Sequence, residues 1–283
     1  MKRKTIKKDL KFEGIGLHKG EMITINLLPN KEGTGIFFQR LDLPEGKNLI
    51  KVDYKNLFDL ERGTNVKNDY DAKVYTIEHF MSALHVFGIT DLIVEITGNE
   101  LPILDGSTKI FVEEIEKTGL ISLDEEIEPI IIQEVISFSE DKTGKHVIIL
   151  PYNGFKVSYI IDFNHSFLKS EYYEIDLNLE NYKREISMAR TFAFDYEIDY
   201  LKKNNLALGG NLDNAVVITK DGVLNNDGLR YENEFVRHKI LDLIGDLYVL
   251  GRPIRGHVIA IKSGHFINSQ LSAKIAEKYL SEE

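Results

Sequence analysis

Two α+β domains of one design are what this sequence predicts, and three observations carry the prediction. At 283 residues the chain suffices for one large domain or two of ordinary size, and its 43% apolar content supports packed cores. The same order of segments, a helix, a strand, a loop and a second helix, can be read once in each half. Between the halves lies SLDEEIEP, whose acidic residues and Pro129 mark a junction, so domains are expected over residues 1–125 and 126–283.

The elements follow in order. MKRKTIKKDLKF is basic like the start of a signal peptide, but no apolar core of about 7–15 residues follows it. It reads as a strand with charged flanks, whose basic end is available to anionic lipid. MITINLLP reads as a second strand. EHFMSALHVFG reads as a helix with Thr76 as its N-cap and Ile77, Phe80, Met81 and Leu84 as its apolar side. DLIVEITG is strand, NELPILDGS a turn-rich loop and TKIFVEEIEKTG the closing helix of the first half. In the second half PIIIQEV, HVIILP and FKVSYIIDF are strands, RHKILDLIGDLYVLG is helix, RGHVIAIKSG strand and HFINSQLSAKIAEKYL the final helix. The stretch FAFDYEIDYLKKNNLALGGNLDNAVV, from Phe192 to Val217, mixes a short amphipathic segment with small residues and a double glycine, as an ordinary helix and loop would.

FVRHKILDLIGDLYVLG raises the question of function. Wound at about 100° per residue, it gathers Val236, Ile240, Leu243, Ile244 and Leu247 on one side and His238, Asp242 and Asp246 on the other, with Lys239 at their flank. A solvated face with an i,i+4 pair accounts for these polar residues. A histidine and a carboxylate one turn apart can also grip a metal ion. Gly245 costs about 1 kcal/mol of helix propensity and clears room beside the imidazole. The repeat offers a third ligand: His79 starts the helix of the first half that corresponds to the one carrying His238, and a pseudo-twofold relation would bring them together. Glu78 and His79 occupy a first turn, where a carboxylate also serves as an ordinary capping charge. His265, in KSGHFIN, stands at the turn between the last strand and helix, exposed and able to exchange protons near neutral pH. His85 lies on another face and reads as structural.

Composition narrows the classes. A formal net charge of -10 argues against nucleic acid as the main partner, because phosphate binding leans on excess Lys and Arg. With no cysteine, any metal is held by His, Asp or Glu, which leaves zinc, iron and manganese open. No apolar run approaches the roughly 18 residues of a membrane span, and a soluble, cytoplasmic monomer is expected. Two further classes compete with a metal hydrolase: a non-enzymatic binding module around a structural metal, which four protein ligands would close, and a phosphate-ester hydrolase using Mg²⁺ or Mn²⁺, which harder ligands would favour.

TIEHFMSALHVFGI, NELPILDGS, ISMARTFAF, ALGGNLDNAVV, GLRYENEFVRHKILDLIGDLYVLG and KSGH, in this order and preceded by GIGLHKG, resemble the zinc-dependent UDP-3-O-acyl-N-acetylglucosamine deacetylases of lipid A synthesis. The resemblance covers essentially the whole chain and implies two similar α+β domains with small insertions and an active site between them. It implies His79, His238 and Asp242 as ligands of zinc, with ferrous iron as the other metal the cell could supply. Glu78 is implied as general base, His265 as general acid or charged stabiliser, Asp246 as the partner that orients His265, and Thr191 as a donor to the developing oxyanion. Lys239 is implied on the phosphate side of the substrate, with Phe192, His18 and Lys262 near it. The 192–217 stretch is implied to be an inserted element enclosing the acyl chain, with Ile198, Ala207, Ala215 and Val217 as walls. Some relatives carry cysteine within the counterparts of ERGTN and RTFAF, where this chain has none.

Overall fold

The structure is a computed structural model that describes residues 1–31 and 33–280; Glu32 in the first expected domain and residues 281–283 of the second lie outside the described residues. Two main sheets share one strand order. In the first, Leu10–Ile15, Met22–Pro29, Leu92–Ile96, Ile36–Arg40 and Leu49–Lys51 lie side by side. In the second the order is Ile136–Glu140, Lys145–Leu150, Ile254–Ile261, Phe155–Asp162 and Ser170–Asp176, with Ile130–Ile131 added beside Ile254–Ile261. Each sheet is thus two hairpins with the last strand inserted between them, antiparallel to one neighbour and parallel to the other. The repeat read from the sequence is a repeat of topology.

Among the described residues the α-helices are α1 (Glu78–Phe87), α2 (Lys109–Thr118), α3 (Leu179–Glu185), α4 (Ile198–Lys203), α5 (Glu234–Tyr248) and α6 (His265–Tyr279). In each half a helix precedes the inserted strand and a helix follows it, since a parallel pair needs a crossover to bring the chain back. Phe80 of α1 and Phe111 of α2 meet at 5.3 Å and bridge to Phe38 and Phe12 of the first sheet, so this helix layer is fixed through aromatic edges. Gly88 ends α1 with φ 65°, its N–H bonded to the carbonyls of Leu84 and His85. α1 also packs along α5, which is buried on both faces: Val236, Ile240, Leu243 and Ile244 in the apolar core, and His238, Asp242 and Asp246 toward the other half. The polar stripe is therefore an internal seam and not a solvated face.

Four local expectations need correction. The basic N-terminus is two strands, not one: Lys2–Ile6 pairs with Leu120–Glu126, while Leu10–Ile15 joins the first sheet. The acidic junction is accordingly a paired strand as far as Glu126. PIIIQEV contributes only Ile130–Ile131, pairing with Ile254–Arg255 just after Pro129. Thr76 does not cap α1; Ile77 occupies the cap without a side-chain bond, and the Thr76 hydroxyl donates to Glu100 Oε1 at 3.2 Å.

Small inserts complete each half. Leu57–Phe58, Asn65–Lys67 and Lys73–Val74 form a three-stranded sheet ahead of α1. Phe192–Phe194 and Val216–Thr219 pair in parallel around α4, with Gly222–Val223 beside them. Among the described residues, no helix is long and apolar enough to cross a membrane.

Candidate active site

The first turn of α1 lies against the middle of α5, and Gly245 is the reason they come so close. A Cβ on Gly245 would stand 2.0 Å from the Glu78 carbonyl oxygen. The room that the glycine was expected to clear beside the imidazole is filled by the backbone of Glu78.

That approach delivers His79 to His238 and Asp242. Among the described residues these three are the group of possible metal ligands, with one donor atom from each inside a 4.8 Å span. Asp242 Oδ1 stands 3.5 Å from His79 Nε2 and 3.4 Å from His238 Nε2 and accepts no hydrogen bond. Its other oxygen takes the Lys239 ammonium at 2.6 Å. His238 Nδ1 faces the Ala189 carbonyl at 3.3 Å, which leaves the Nε2 lone pair for the shared point. An orphaned, buried carboxylate oxygen between two imidazole nitrogens costs stability unless something electropositive sits there, so these residues fit a divalent cation. Burial lowers the His238 pKa to about 3 and so keeps the ring neutral, as a ligand must be. Burial pushes Asp242 up, but the electrostatic pull of its neighbours His238, Lys239 and His79 draws it well below the ordinary carboxylate range.

Beside this cluster stand two titratable groups with shifted pKa values. Glu78 is 3% exposed, and desolvation raises its pKa against the opposing pull of His265 and His79. His265, at the start of α6, places Nδ1 3.1 and 3.0 Å from the two Asp246 oxygens. Burial would lower its pKa, but the charge and hydrogen bond of Asp246, helped by Glu78 and Asp242, outweigh that and hold it at about 9. Asp246 also accepts from the Thr64 hydroxyl at 2.5 Å and from Asn268 Nδ2 at 2.7 Å.

All these groups except Asp246, Thr64 and Asn268 open on one cavity of about 630 Å³ between the two halves. His18, Thr191, Phe192, Ile198, Ala207, Ala215 and Val217 also line it. Lys262 lies at the edge, 3.3 Å from Asp162. Lys239 commits one of its three donors to Asp242. The backbone of Thr191 is fixed by its N–H to the Gly106 carbonyl and its carbonyl to the Val216 N–H, both at 2.8 Å. His18 is pinned by its backbone N–H to Glu100 and by Ala207 N–H to Nδ1, while its Nε2 is buried without a partner.

Sequence reasoning missed Leu201, Leu212 and Leu224, which share the apolar wall, and missed Thr64 and Asn268 behind the histidine. Asn268 was within reach of it, since i+3 from His265 on one helix is the same face. Thr64 lies 182 positions from Asp246 and gave no signal.

The family described as LpxC, UDP-3-O-acyl N-acetylglycosamine deacetylase, matches residues 3–277. Two proteins of Leptospira biflexa serovar Patoc, from strain Patoc 1 / Ames and strain Patoc 1 / ATCC 23582 / Paris, are both named UDP-3-O-acyl-N-acetylglucosamine deacetylase. Each is 43% identical over 283 residues, 99% of this chain and 92% of the relative. With a match that spans both halves, both inserts and every residue around the cavity, the chain belongs to the UDP-3-O-acyl N-acetylglycosamine deacetylase family.

Proposed function

We propose that this protein hydrolyses the N-acetyl amide of UDP-3-O-[(3R)-3-hydroxyacyl]-N-acetylglucosamine to the free amine and acetate, the committed step of lipid A biosynthesis. The observation that carries the reading is the junction of a His79, His238 and Asp242 cluster with an apolar cavity, in a chain of this family.

His79, His238 and Asp242 would hold zinc, because two imidazoles and one carboxylate suit a borderline cation; ferrous iron meets the same donors. Bound there, the metal supplies Lewis-acid chemistry that activates water near neutral pH and polarises the amide carbonyl. Glu78 takes the proton of the attacking water as it adds to the carbonyl carbon. The Thr191 hydroxyl and the His265 imidazolium face the oxygen on which negative charge develops, and Asp246 keeps His265 oriented and protonated. The Glu78 and His265 pair then returns a proton to the amine nitrogen as the C–N bond breaks. Lys239 meets the phosphate side of the substrate, Lys262 and His18 lie near the substrate, Phe192 supplies a ring beside His238, and Ile198, Ala207, Ala215 and Val217 cover the acyl chain.

The division into domains at residues 125 and 126 belongs to the same proposal and is supported by the identical strand order on either side of it. A monomer belongs to the same proposal, and a nucleotide-linked substrate supports a cytoplasmic enzyme. The basic N-terminal strand keeps its proposed contact with anionic lipid.

Acetate release from the 3-O-acylated substrate, compared with UDP-N-acetylglucosamine lacking the acyl chain, tests the role of the apolar cavity. Covering the chain with this wall predicts a preference of at least about 100-fold in kcat/KM for the acylated compound. Equal turnover of the two would detach the cavity from the reaction.

A further inference from the structure

Thr64 stands on the insert of the first half, 2% exposed and outside the cavity, yet it touches both proton-handling centres. Its backbone N–H donates to Glu78 Oε2 at 2.8 Å, and its carbonyl accepts from the N–H of Ile77 at 2.9 Å, one residue before α1 begins. Its hydroxyl donates to Asp246 Oδ1 at 2.5 Å and lies 3.4 Å from His265 Nδ1. A hydroxyl has one proton, so the bond it gives to Asp246 is the one that counts; His265 Nδ1–H and Asn268 Nδ2–H supply the other donors to that carboxylate.

We propose that Thr64 is a positioning residue that sets the Asp246 carboxylate, and through it His265, in register with Glu78. The backbone contacts lock the loop to α1 on the first half, and the hydroxyl reaches across to α5 on the second. Without the hydroxyl, Asp246 keeps two donors that both come from α6 and, among the described residues, loses the hydrogen bond that ties its carboxylate to the half that carries Glu78. The imidazole then turns with α6 independently of the base. Misplacement of one proton-handling group by a fraction of its hydrogen-bond length reduces the chemical step while leaving cavity walls and ligands in place. The consequence for turnover rests on the deacetylase reading; the consequence for His265 geometry does not.

The test compares Thr64→Val, which keeps the branched shape and the backbone bonds, with Thr64→Ser, which keeps the hydroxyl. The ¹⁵N and ¹H signals of the His265 ring in histidine-labelled protein, assigned by their loss in His265→Gln, report the Nδ1–H bond to Asp246 whatever the substrate is. The expected result is a shifted or exchange-broadened Nδ1–H in Thr64→Val and a wild-type signal in Thr64→Ser. In acetate release, Thr64→Val should lose about tenfold or more in kcat with KM within twofold, Thr64→Ser should recover to within about threefold, and Thr64→Val should add less than twofold to the loss caused by Asp246→Asn. An unchanged His265 signal in folded Thr64→Val, or an equal kcat loss in the wild-type and Asp246→Asn backgrounds, overturns the proposal. Should Thr64→Val not fold, Thr64→Ala against Thr64→Ser gives the same contrast. A wild-type protein that shows the His265 signal and its Thr64 dependence but releases no acetate would count against the deacetylase reading alone.

Discussion

At the scale of single residues, the groups proposed to hold a metal and those proposed to move protons lie side by side between the two halves. Glu78 and His79 are neighbours in the chain with different proposed tasks, and substitutions divide them. Glu78→Gln keeps the size and the α1 position, and should retain a full equivalent of metal while losing about 100-fold or more of turnover. His79→Ala should lose the metal itself, because two protein ligands remain. Metal content by elemental analysis beside acetate release checks both, and a Glu78→Gln variant with wild-type turnover would remove Glu78 from the reaction. These residue types were legible in the sequence because helical spacing places His238, Asp242 and Asp246 on one face. Their tasks were not. Nothing in spacing says that Asp242 leaves an oxygen open while Asp246 has both oxygens bonded, and that difference comes from Lys239, Thr64 and Asn268.

At the scale of elements, the decisive contact is α1 on α5, and its closeness depends on the missing side chain at Gly245. Gly245→Ala gains about 1 kcal/mol of helix propensity but drives a methyl into the Glu78 carbonyl, and overpacking of this kind costs about 1–3 kcal/mol. The variant should be less stable in urea unfolding by up to about 2 kcal/mol, and should bind metal more weakly because the turn carrying His79 is displaced. Unchanged stability and metal affinity would mean that α1 does not rest there. The glycine's role was half legible: a helical glycine on a polar face does signal close approach, but nothing in the sequence says that what approaches is the first turn of α1. The failed expectation for Thr76 has a related cause, since its hydroxyl is drawn to the buried Glu100 and away from the helix end.

At the scale of the whole molecule, the two halves meet through helices, and His85 reports on that junction. Its ring lies between Phe155, at 5.1 Å, and Tyr248, at 4.8 Å, so a residue of α1 is covered by the second half. Burial lowers its pKa to about 4 from 6.5. Above pH 6.5 it is neutral in both states and neutral to stability. As pH falls from 6.5 toward 4 the unfolded chain takes a proton that the folded protein refuses, so stability declines by about 2 kcal/mol at pH 5 from this group. Urea unfolding at pH 7 and pH 5 should therefore show a smaller acid-side loss in His85→Phe than in the wild type, by about that amount; an identical loss would place His85 in contact with water. The twofold arrangement itself was legible from the order of helices and strands, because a repeat of segment order is a repeat of topology. The small inserts were less so, since the sheet of Leu57–Phe58, Asn65–Lys67 and Lys73–Val74 has strands too short to show a period. The measurement that bears most directly on the whole account is acetate release from UDP-3-O-(3-hydroxyacyl)-N-acetylglucosamine by the purified protein, before and after removal of metal and after return of one equivalent of zinc. Activity that disappears with the metal and returns with zinc is the predicted result. A folded protein carrying one zinc that releases no acetate would contradict it.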